Sequence, residues 1–421
     1  MTISRPYPRS AQIAIGAVIV VLMTLPFAHS VAVRNIALAV ALVAAIAARK
    51  TLAVPRLPFL ILFAVWAGLG AVSLLWSVDP AYSRGELKTE LLYPFLVFAL
   101  VYSVSVDLRV LALFGIAVVL ALLLSLLGAV ANFADPDFAT KILLYSGAVS
   151  YSTWLITIYP FALATLVTPT LAPRWRTVAA MVAVGVLVAG TLTLNRAFVV
   201  AFMTATLAVL IWSALRGKAR WLPVAVSVVA LAALMAILFL VVQARKTGII
   251  GIAKEPMTTV RQDVRWRLWE TAVAQIITDP WRGVGYGRGA MRRKLAEEFS
   301  GNADLWHAHN VVLDYGMQMG LPGIGLILAI FSAALWRLRR AYATADDEVK
   351  PLIAAAIVMV VCVLLKNQSD DQFIRHTALA YWAALGAVLG VSARRLRRHS
   401  EPLPRTPTTP ASVPVAHGSR S

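Results

Sequence analysis

The chain has 421 residues, of which 60% are hydrophobic and only 14% are charged, and its formal net charge is +19. This balance excludes a soluble domain of this size and predicts an all-α, polytopic integral membrane protein. The single cysteine, Cys362, excludes a disulfide framework and a thiolate metal cluster. Most basic residues flank apolar runs, where they meet membrane lipids, so nucleic acid is not expected as a partner.

Apolar runs of about 17–25 residues are long enough to cross a membrane. Twelve such runs are centred near residues 20, 41, 67, 98, 120, 162, 184, 206, 232, 328, 358 and 385. We therefore expect about twelve transmembrane helices, with helices 1–9 in residues 1–243 and helices 10–12 in residues 318–398. One large polar loop spans residues 244–317, and residues 399–421, rich in Pro, Ser and Thr, are expected to form a disordered cytoplasmic tail.

Every second connection along the chain is short and basic, and the positive-inside rule assigns these connections to the cytoplasm. They include Arg49, Arg109, Arg174, Arg216 and Arg337. Both basic termini fall on the same side, so both are expected in the cytoplasm, with the 244–317 loop outside. That loop is itself basic against this trend, which suggests an anionic ligand on the outer side.

Within the outer loop, residues 260–278 have the spacing of an amphipathic helix. Its apolar face is predicted to contain Val264, Leu268, Val273 and Ile276/Ile277, and Asp279-Pro280 is expected to end it. This face would either lie on the membrane surface or cap the transmembrane helices.

Glycines occupy alternate positions from residue 283 to residue 289, with Arg288 among them. Backbone N–H groups in such a turn can approach a phosphate. The glycines alone are more typical of a plain loop, and the neighbouring arginine favours a binding role.

His307-Ala-His309-Asn310 precedes the next apolar run. If residues 309–319 are helical, His309, Leu313, Gly316 and Gly320 share one stripe, with His309 at the membrane boundary. His307 is interpreted as an ordinary interfacial or loop histidine.

A zinc site is not expected near these histidines. Asp304 and Asp314 are the nearest carboxylates in sequence, and neither a cysteine nor a third histidine joins them.

Four short motifs follow one another in order on the predicted outer side. They are residues 192–196 (Leu-Thr-Leu-Asn-Arg), residues 265–269 (Arg-Trp-Arg-Leu-Trp), residues 280–287, and His309-Asn310 followed by Gly320 and Gly323. Together they resemble the signatures of the bacterial O-antigen ligase family, whose superfamily also holds O-antigen polymerases and bacterial protein O-oligosaccharyltransferases. One departure is Asn195, where the family often has Ser.

The resemblance implies an enzyme that transfers a glycan from undecaprenyl diphosphate to a sugar hydroxyl of the lipid A–core oligosaccharide. The reaction would occur at the periplasmic face of the inner membrane of a Gram-negative bacterium, with neither cofactor nor metal. A polymerase and a protein O-oligosaccharyltransferase are alternatives within the superfamily. A lipid or glycan transporter is a lesser alternative. It predicts ionisable residues near span centres and an internal repeat, whereas the span centres here are almost free of charge and no convincing repeat is seen.

The resemblance also assigns roles to particular residues. Arg196, Arg265 and Arg288 would bind the diphosphate, because guanidinium groups form bidentate, permanently charged hydrogen bonds. His309 would act as general base in an inverting attack, or would orient the acceptor without taking its proton.

A second polar connection, residues 366–376, separates the last two spans. We expect Asp370 or Asp371 within it to orient His309 or to bind acceptor sugar, and Asn310 is a further candidate for these roles.

Overall fold

The computed structural model describes residues 7–52, 56–131, 147–193, 195–217, 265–295 and 307–400, with residues 233, 236 and 240. Throughout these ranges the chain is helical and contains no strand. The prediction of an all-α polytopic membrane protein is therefore confirmed.

The described residues form a series of α-helices joined mostly by short connections. A 3₁₀ turn at Ala28–Ser30 precedes the second helix, and a π-helical turn at Lys88–Leu92 precedes the fifth. The helices are α1 (Arg9–Thr24), α2 (Val31–Ala47), α3 (Leu60–Ser73), α4 (Pro80–Leu87), α5 (Tyr93–Val104), α6 (Leu108–Ala131), α7 (Ala148–Leu166), α8 (Pro173–Leu192), α9 (Arg196–Leu215), α10 (Arg265–Thr278), α11 (Arg288–Leu295), α12 (Val311–Thr344), α13 (Lys350–Lys366) and α14 (Arg375–Ser400).

Eight helical segments of the described chain are long and apolar enough to cross a membrane. Eleven of the twelve predicted span centres fall inside described helices, and the centre near residue 232 lies outside the described residues. Helices α1 and α3 are apolar but shorter than the eight. The total of twelve spans stays a prediction, as do the disordered tail and the part of the outer loop that lies beyond the described ranges.

The helices pack around two large apolar clusters. One cluster joins α1, α2 and α6–α9, and the other joins α3, α5 and α12–α14 around the buried rings of Trp66, Phe98 and Trp382. A small third cluster joins α10 to the beginning of α12. This third cluster attaches α10 to the rest of the helix bundle.

The buried face of α10 differs from the predicted one. Leu268, Ala272 and Ile276 are buried, whereas Val273 is 43% exposed and Ile277 is 72% exposed. The buried residues are four positions apart and so lie on one narrow stripe that caps α12. Val273 and Ile277 belong to the predicted apolar face but lie outside the contact with α12, so their place on the membrane surface stays a prediction. Val264 lies outside the described residues.

Helix α12 is kinked at Gly320, whose φ of 67° and ψ of −155° are not helical. The backbone N–H of Leu321 donates to the carbonyl of Pro280 at 2.7 Å, so the loop after α10 satisfies a group that the kink releases. A Cβ on Gly316 would lie 2.6 Å from the Ile276 side chain. Gly316 and Gly320 therefore permit the close packing that their stripe predicted.

Replacing Gly320 by alanine is expected to lower the apparent melting temperature of the protein in detergent. The left-handed backbone costs a residue with a Cβ about 1–3 kcal/mol, and that Cβ would lie 2.3 Å from the Pro280 carbonyl oxygen. Gly325→Ala is the matched control, because a Cβ there meets nothing within 4 Å. Equal melting temperatures for the two variants would contradict the packing described for the kink.

Candidate active site

The loop 367–374, between α13 and α14, contacts the elements that carry most of the candidate residues. The carbonyl of Asn367 accepts from the backbone N–H of Val311 at 2.8 Å. The carbonyl of Gln368 accepts from Asn310 Nδ2 at 3.0 Å. These bonds hold the beginning of α12, and the histidines before it, against the loop that contains Asp370 and Asp371.

His309 lies in the turn before α12. Asn310 is the N-cap, and its Oδ1 accepts from the backbone N–H groups of Val312 and Leu313 at 2.9 and 3.1 Å. His309 has a φ of 51°, in the left-handed region that non-glycine residues rarely adopt. The prediction that His309 shares a helical stripe with Leu313 is therefore wrong, since the Asn310 cap starts the helix at Val311. The left-handed backbone turns the partly exposed His309 ring onto His307, with ring centroids 3.9 Å apart.

His307 is buried, with 3% exposure, although the sequence indicated an ordinary loop histidine. Its Nδ1 lies 3.1 Å from the backbone N of His309 and 3.4 Å from Nη1 of Arg288. Asp314 Oδ2 also lies 3.1 Å from this Nδ1, so a carboxyl oxygen and two N–H donors surround it. Burial, followed by the charge of Arg288, lowers the pKa of His307 to about 3, so the ring is neutral at physiological pH.

Arg288 is 2% exposed and lies in a buried charge cluster with His307, Asp314 and Asp371. Its Nη1 donates to the Asp371 carbonyl at 2.5 Å and lies 3.5 Å from Asp371 Oδ2. Asp314 accepts from the Ala308 backbone N–H at 2.7 Å and lies 3.1 Å from His307 Nδ1.

The two carboxyl groups of the buried charge cluster interact with each other. Asp314 and Asp371 are joined by a side-chain hydrogen bond, which requires that they share a proton. Burial raises the pKa of Asp371 to about 7, and the nearby Arg288 opposes that rise.

The glycine turn at residues 283–289 packs against α12. The N–H groups of Val284, Gly285 and Gly287 donate to Met317 O, Gln318 O and Gln318 Oε1 at 2.8, 3.0 and 2.8 Å. These donors are used within the protein, so the plain-loop interpretation holds and a phosphate nest does not form from them. Gly283, Gly285 and Gly287 have positive φ, and a Cβ on Gly283 would lie 2.4 Å from the Met317 carbonyl oxygen. The turn thereby places Arg288 at the beginning of α11.

Asp370 joins Arg265, and Asn195 next to Arg196, to the site. Its Oδ2 accepts from Asn195 Nδ2 at 2.6 Å, and its Oδ1 lies 3.4 Å from Nη2 of Arg265. Lys366 Nζ lies 3.4 Å from Oδ2. Asn195 also caps α9, because its Oδ1 accepts from the Phe198 N–H at 2.8 Å. The residue that departs from the family pattern thus has two structural roles.

The two arginines near Asp370 in the chain or in space, Arg196 and Arg265, are accessible. Arg196 is the first residue of α9 and is exposed, and it forms no ion pair with any residue in the described ranges. The Arg265 side chain is 38% exposed. Four residues along α10, Trp269 Nε1 donates to the Ala308 carbonyl at 2.8 Å, which fixes α10 against the histidine turn.

His307, Asp314 and Asp371 also meet the geometry of a metal-ligand set, because one ligand atom from each lies within 4.8 Å of the others. Arg288 Nη1 already lies 3.4 Å from His307 Nδ1 and 3.5 Å from Asp371 Oδ2. A divalent cation there would meet a guanidinium at contact distance, which like-charge repulsion disfavours. The residues therefore do not suit a metal ion, and metal independence of the protein stays a prediction.

Sequence reasoning missed a further carboxyl group beside the site. Glu90 is 5% exposed, lies in the π-helical turn, and interacts electrostatically with Arg288 and Asp371. The helix before this turn, α4, is capped by Asp79, which accepts from the Tyr82 N–H at 3.2 Å. The Asp79-Pro80 helix start was the signal that would have revealed this element.

Comparison with known families gives one match. Residues 181–328 match the model of a family described as O-antigen ligase. The matched range contains Arg196, Arg265, Arg288, His309 and Asn310, and it ends before Asp370 and Asp371. No curated protein matches the chain.

Replacing Asp371 by asparagine is expected to flatten the pH dependence of stability. The folded pKa of about 7 lies above the ordinary value of 3.8. The contribution of Asp371 to the free energy of unfolding is therefore fully present below its ordinary pKa of 3.8 and is lost as pH rises through its folded pKa of about 7. Asparagine stays neutral and keeps an oxygen to accept from the Phe373 N–H, as Asp371 does at 3.2 Å.

The measurement is the apparent melting temperature in detergent between about pH 5.5 and 8.5. Asp347→Asn is the control, because the Asp347 side chain is 76% exposed in the connection between α12 and α13. Parallel curves for wild type and Asp371→Asn across this range would contradict a protonated Asp371 in the folded protein.

Proposed function

We propose that the chain is a member of the O-antigen ligase family, whose model matches residues 181–328, and that it transfers a glycan from undecaprenyl diphosphate to a sugar hydroxyl of the lipid A–core oligosaccharide. One observation carries the proposal. Asp370 contacts both Asn195, next to Arg196, and Arg265, on the loop that also holds the His309 turn. The loop 367–374 thus contacts Arg265, the residue next to Arg196, and the turn that contains His309, although these lie far apart in the sequence.

The site elements lie at one end of the bundle. The beginnings of α12 and α14 and the end of α13 meet at the loop 367–374. The opposite ends carry Arg337, Arg339 and Arg340 on α12 and Arg395 on α14. By the positive-inside rule we assign that basic end to the cytoplasm and the site to the periplasmic face of the inner membrane, with both termini cytoplasmic.

Arg196 and Arg265 bind the donor diphosphate in this proposal. Both side chains are accessible, and each guanidinium offers paired N–H donors that match phosphate oxygens. Arg196 also stands at the N-terminus of α9, where the helix favours an anion. Asp370 keeps Arg265 in place before the donor arrives.

Arg288 has a different place in the mechanism. Its guanidinium is buried and faces Asp371 and His307, so we assign it a positioning role in place of the diphosphate contact that the motif suggested. It helps to keep His307 neutral, and the neutral ring supports His309 by stacking.

His309 acts as the general base. The acceptor hydroxyl oxygen attacks the anomeric carbon of the donor sugar, and its proton passes to the imidazole of His309. The bond between the anomeric carbon and the diphosphate oxygen breaks, and its electron pair leaves with undecaprenyl diphosphate, where the two arginines stabilise the charge. A direct displacement of this kind inverts the anomeric configuration. Asn310 and the loop 367–374 fix the His309 turn and lie next to the place of the acceptor.

His309→Ala is expected to lower the rate of transfer by about 10²–10⁴-fold while donor binding persists, because a positioned general base contributes about that factor. The assay uses purified protein, undecaprenyl-diphosphate glycan and rough lipopolysaccharide in EDTA, and it follows glycan on lipopolysaccharide. Wild-type activity in EDTA is expected, since the proposed site uses arginines where other transferases use a metal.

A metal-dependent wild type would contradict the proposed chemistry of donor binding, and unimpaired transfer by His309→Ala would contradict its assignment as base. Glycan growing on the lipid carrier would replace the ligase proposal by a polymerase. No transfer by a folded wild-type protein would favour a transporter.

Arg265→Ala is expected to raise the donor KM by at least about tenfold, because it removes charge-assisted hydrogen bonds to the diphosphate. Arg267→Ala, two residues along the same helix at an exposed position, is the matched control and should keep the wild-type KM. The measurement is initial rate against donor concentration at saturating acceptor. Equal effects of the two substitutions would indicate a general contribution of helix charge and would contradict a specific contact.

A further inference from the structure

A buried lysine lies beside the candidate site and has no role in the mechanism proposed above. Lys366 is the last residue of α13, and its side chain has no exposed surface. Its Nζ lies 3.4 Å from Asp370 Oδ2 and donates to the Val149 carbonyl at 3.4 Å. The sequence motifs do not include Lys366, and it lies beyond the range that matches the O-antigen ligase family.

Lys366 and Arg265 approach different oxygens of one carboxyl group. Lys366 faces Oδ2 of Asp370, which also accepts from Asn195 Nδ2 at 2.6 Å. Nη2 of Arg265 lies 3.4 Å from Oδ1 of the same carboxyl group. One negative charge therefore faces two cations, of which Lys366 is buried and Arg265 is 38% exposed.

The Lys366 ammonium group is largely charged at neutral pH. Burial lowers its pKa to about 8, the charge of Asp370 opposes this shift, and the charge of Arg265 adds to it. A buried cation is costly without an opposite charge, and within the described ranges Asp370 is the carboxylate that pairs with Lys366. Water screens a buried pair much less than an exposed one, so Asp370 interacts more strongly with Lys366 than with the more exposed Arg265.

The pairing of Lys366 with Asp370 determines the charge that an anionic donor meets beside Arg265. Because the ammonium group and the carboxylate together carry no net charge, Asp370 can hold the Arg265 guanidinium in place without cancelling its charge. If the ammonium group were absent, Asp370 would place an uncompensated negative charge 3.4 Å from Arg265. That charge would weaken the attraction of the site for a diphosphate.

We propose that Lys366 is a positioning residue for the donor diphosphate, because its buried charge offsets Asp370 and lets Asp370 orient Arg265 without repelling the donor. This role rests on the proposed function, in which the ligand of Arg265 is a polyprenyl diphosphate. Lys366 does not touch the donor, since its side chain has no exposed surface, and it acts through Asp370.

The test measures the affinity of the purified full-length protein for undecaprenyl diphosphate, the leaving group of the reaction. Binding is read in neutral detergent at neutral pH from the rise in melting temperature, which reports affinity for the folded state. Lys366→Met and Lys366→Gln both remove the charge, and the glutamine keeps an N–H group that can donate to Asp370 or to the Val149 carbonyl. The glutamine variant keeps the test decisive if the methionine variant does not fold.

Lys350→Met is the matched control, because Lys350 lies at the opposite end of the same helix. Its Nζ lies 3.2 Å from Asp347 Oδ1, and the Asp347 side chain is 76% exposed. This lysine therefore forms an ion pair as Lys366 does, but far from the loop 367–374.

Both Lys366 variants are expected to bind undecaprenyl diphosphate at least about threefold more weakly than wild type and Lys350→Met, as for residues coupled in one salt-bridge network. Their kcat at saturating donor and acceptor should stay within about twofold of the wild-type value, because the general base is unchanged. In an Asp370→Asn background, Lys366→Met should change the affinity by less than about twofold, because no carboxylate remains to be offset.

Three results would overturn the proposal. Wild-type affinity in both Lys366 variants would show that the charge does not act on the donor site. Wild-type affinity in Lys366→Gln alone would assign the effect to a hydrogen bond. An undiminished effect of Lys366→Met in the Asp370→Asn background would show a role in packing at the end of α13.

The transfer assay separates this proposal from the proposed function. A wild-type protein that shows the expected differences in affinity but transfers no glycan would contradict the proposed function and support the role of Lys366. Active transfer with equal affinities in wild type and both Lys366 variants would contradict the role of Lys366 alone. A wild-type protein that does not bind undecaprenyl diphosphate would contradict both.

Discussion

Two adjacent carboxyl groups in the loop 367–374 hold the candidate site together. Asp370 pairs with Arg265 and bonds Asn195, whereas Asp371 pairs with the buried Arg288. In a membrane-embedded protein, cations stay at such a place only with partners, because burial without a counter-charge is costly. The arrangement of α9, α10 and α11 around the site follows from this requirement for charge compensation.

The groups around Asp371 and those around Asp370 differ in burial and in charge. Around Asp371, the charges are fully buried, and burial followed by the charge of Arg288 keeps His307 neutral beside the His309 ring. Around Asp370, Lys366 is buried but the Arg265 side chain stays 38% exposed, so an anionic donor can reach Arg265. In the proposed mechanism the general base His309 therefore lies beside the arginines that bind the diphosphate, and the charges of the two parts of the site do not cancel.

Much of the fold follows from apolar run length, since eleven of the twelve predicted span centres fall in described helices. The four sequence motifs also identified Arg265 and His309 as candidate site residues. The burial of His307 could not be predicted, because it depends on Arg288 and Asp371, which are 19 and 64 residues away in sequence. The left-handed backbone of His309 was likewise hidden, because its cause is the Asn310 cap, which ends the helical periodicity one residue after His309.

A double-mutant cycle on the donor KM tests the central claim, that Asp370 positions Arg265 for the donor. The variants are Asp370→Asn, Arg265→Ala and the two combined, assayed for transfer at saturating acceptor. If Asp370 acts through Arg265, the double variant should have nearly the same donor KM as the more impaired single variant. Independent, multiplicative increases in KM would contradict the account.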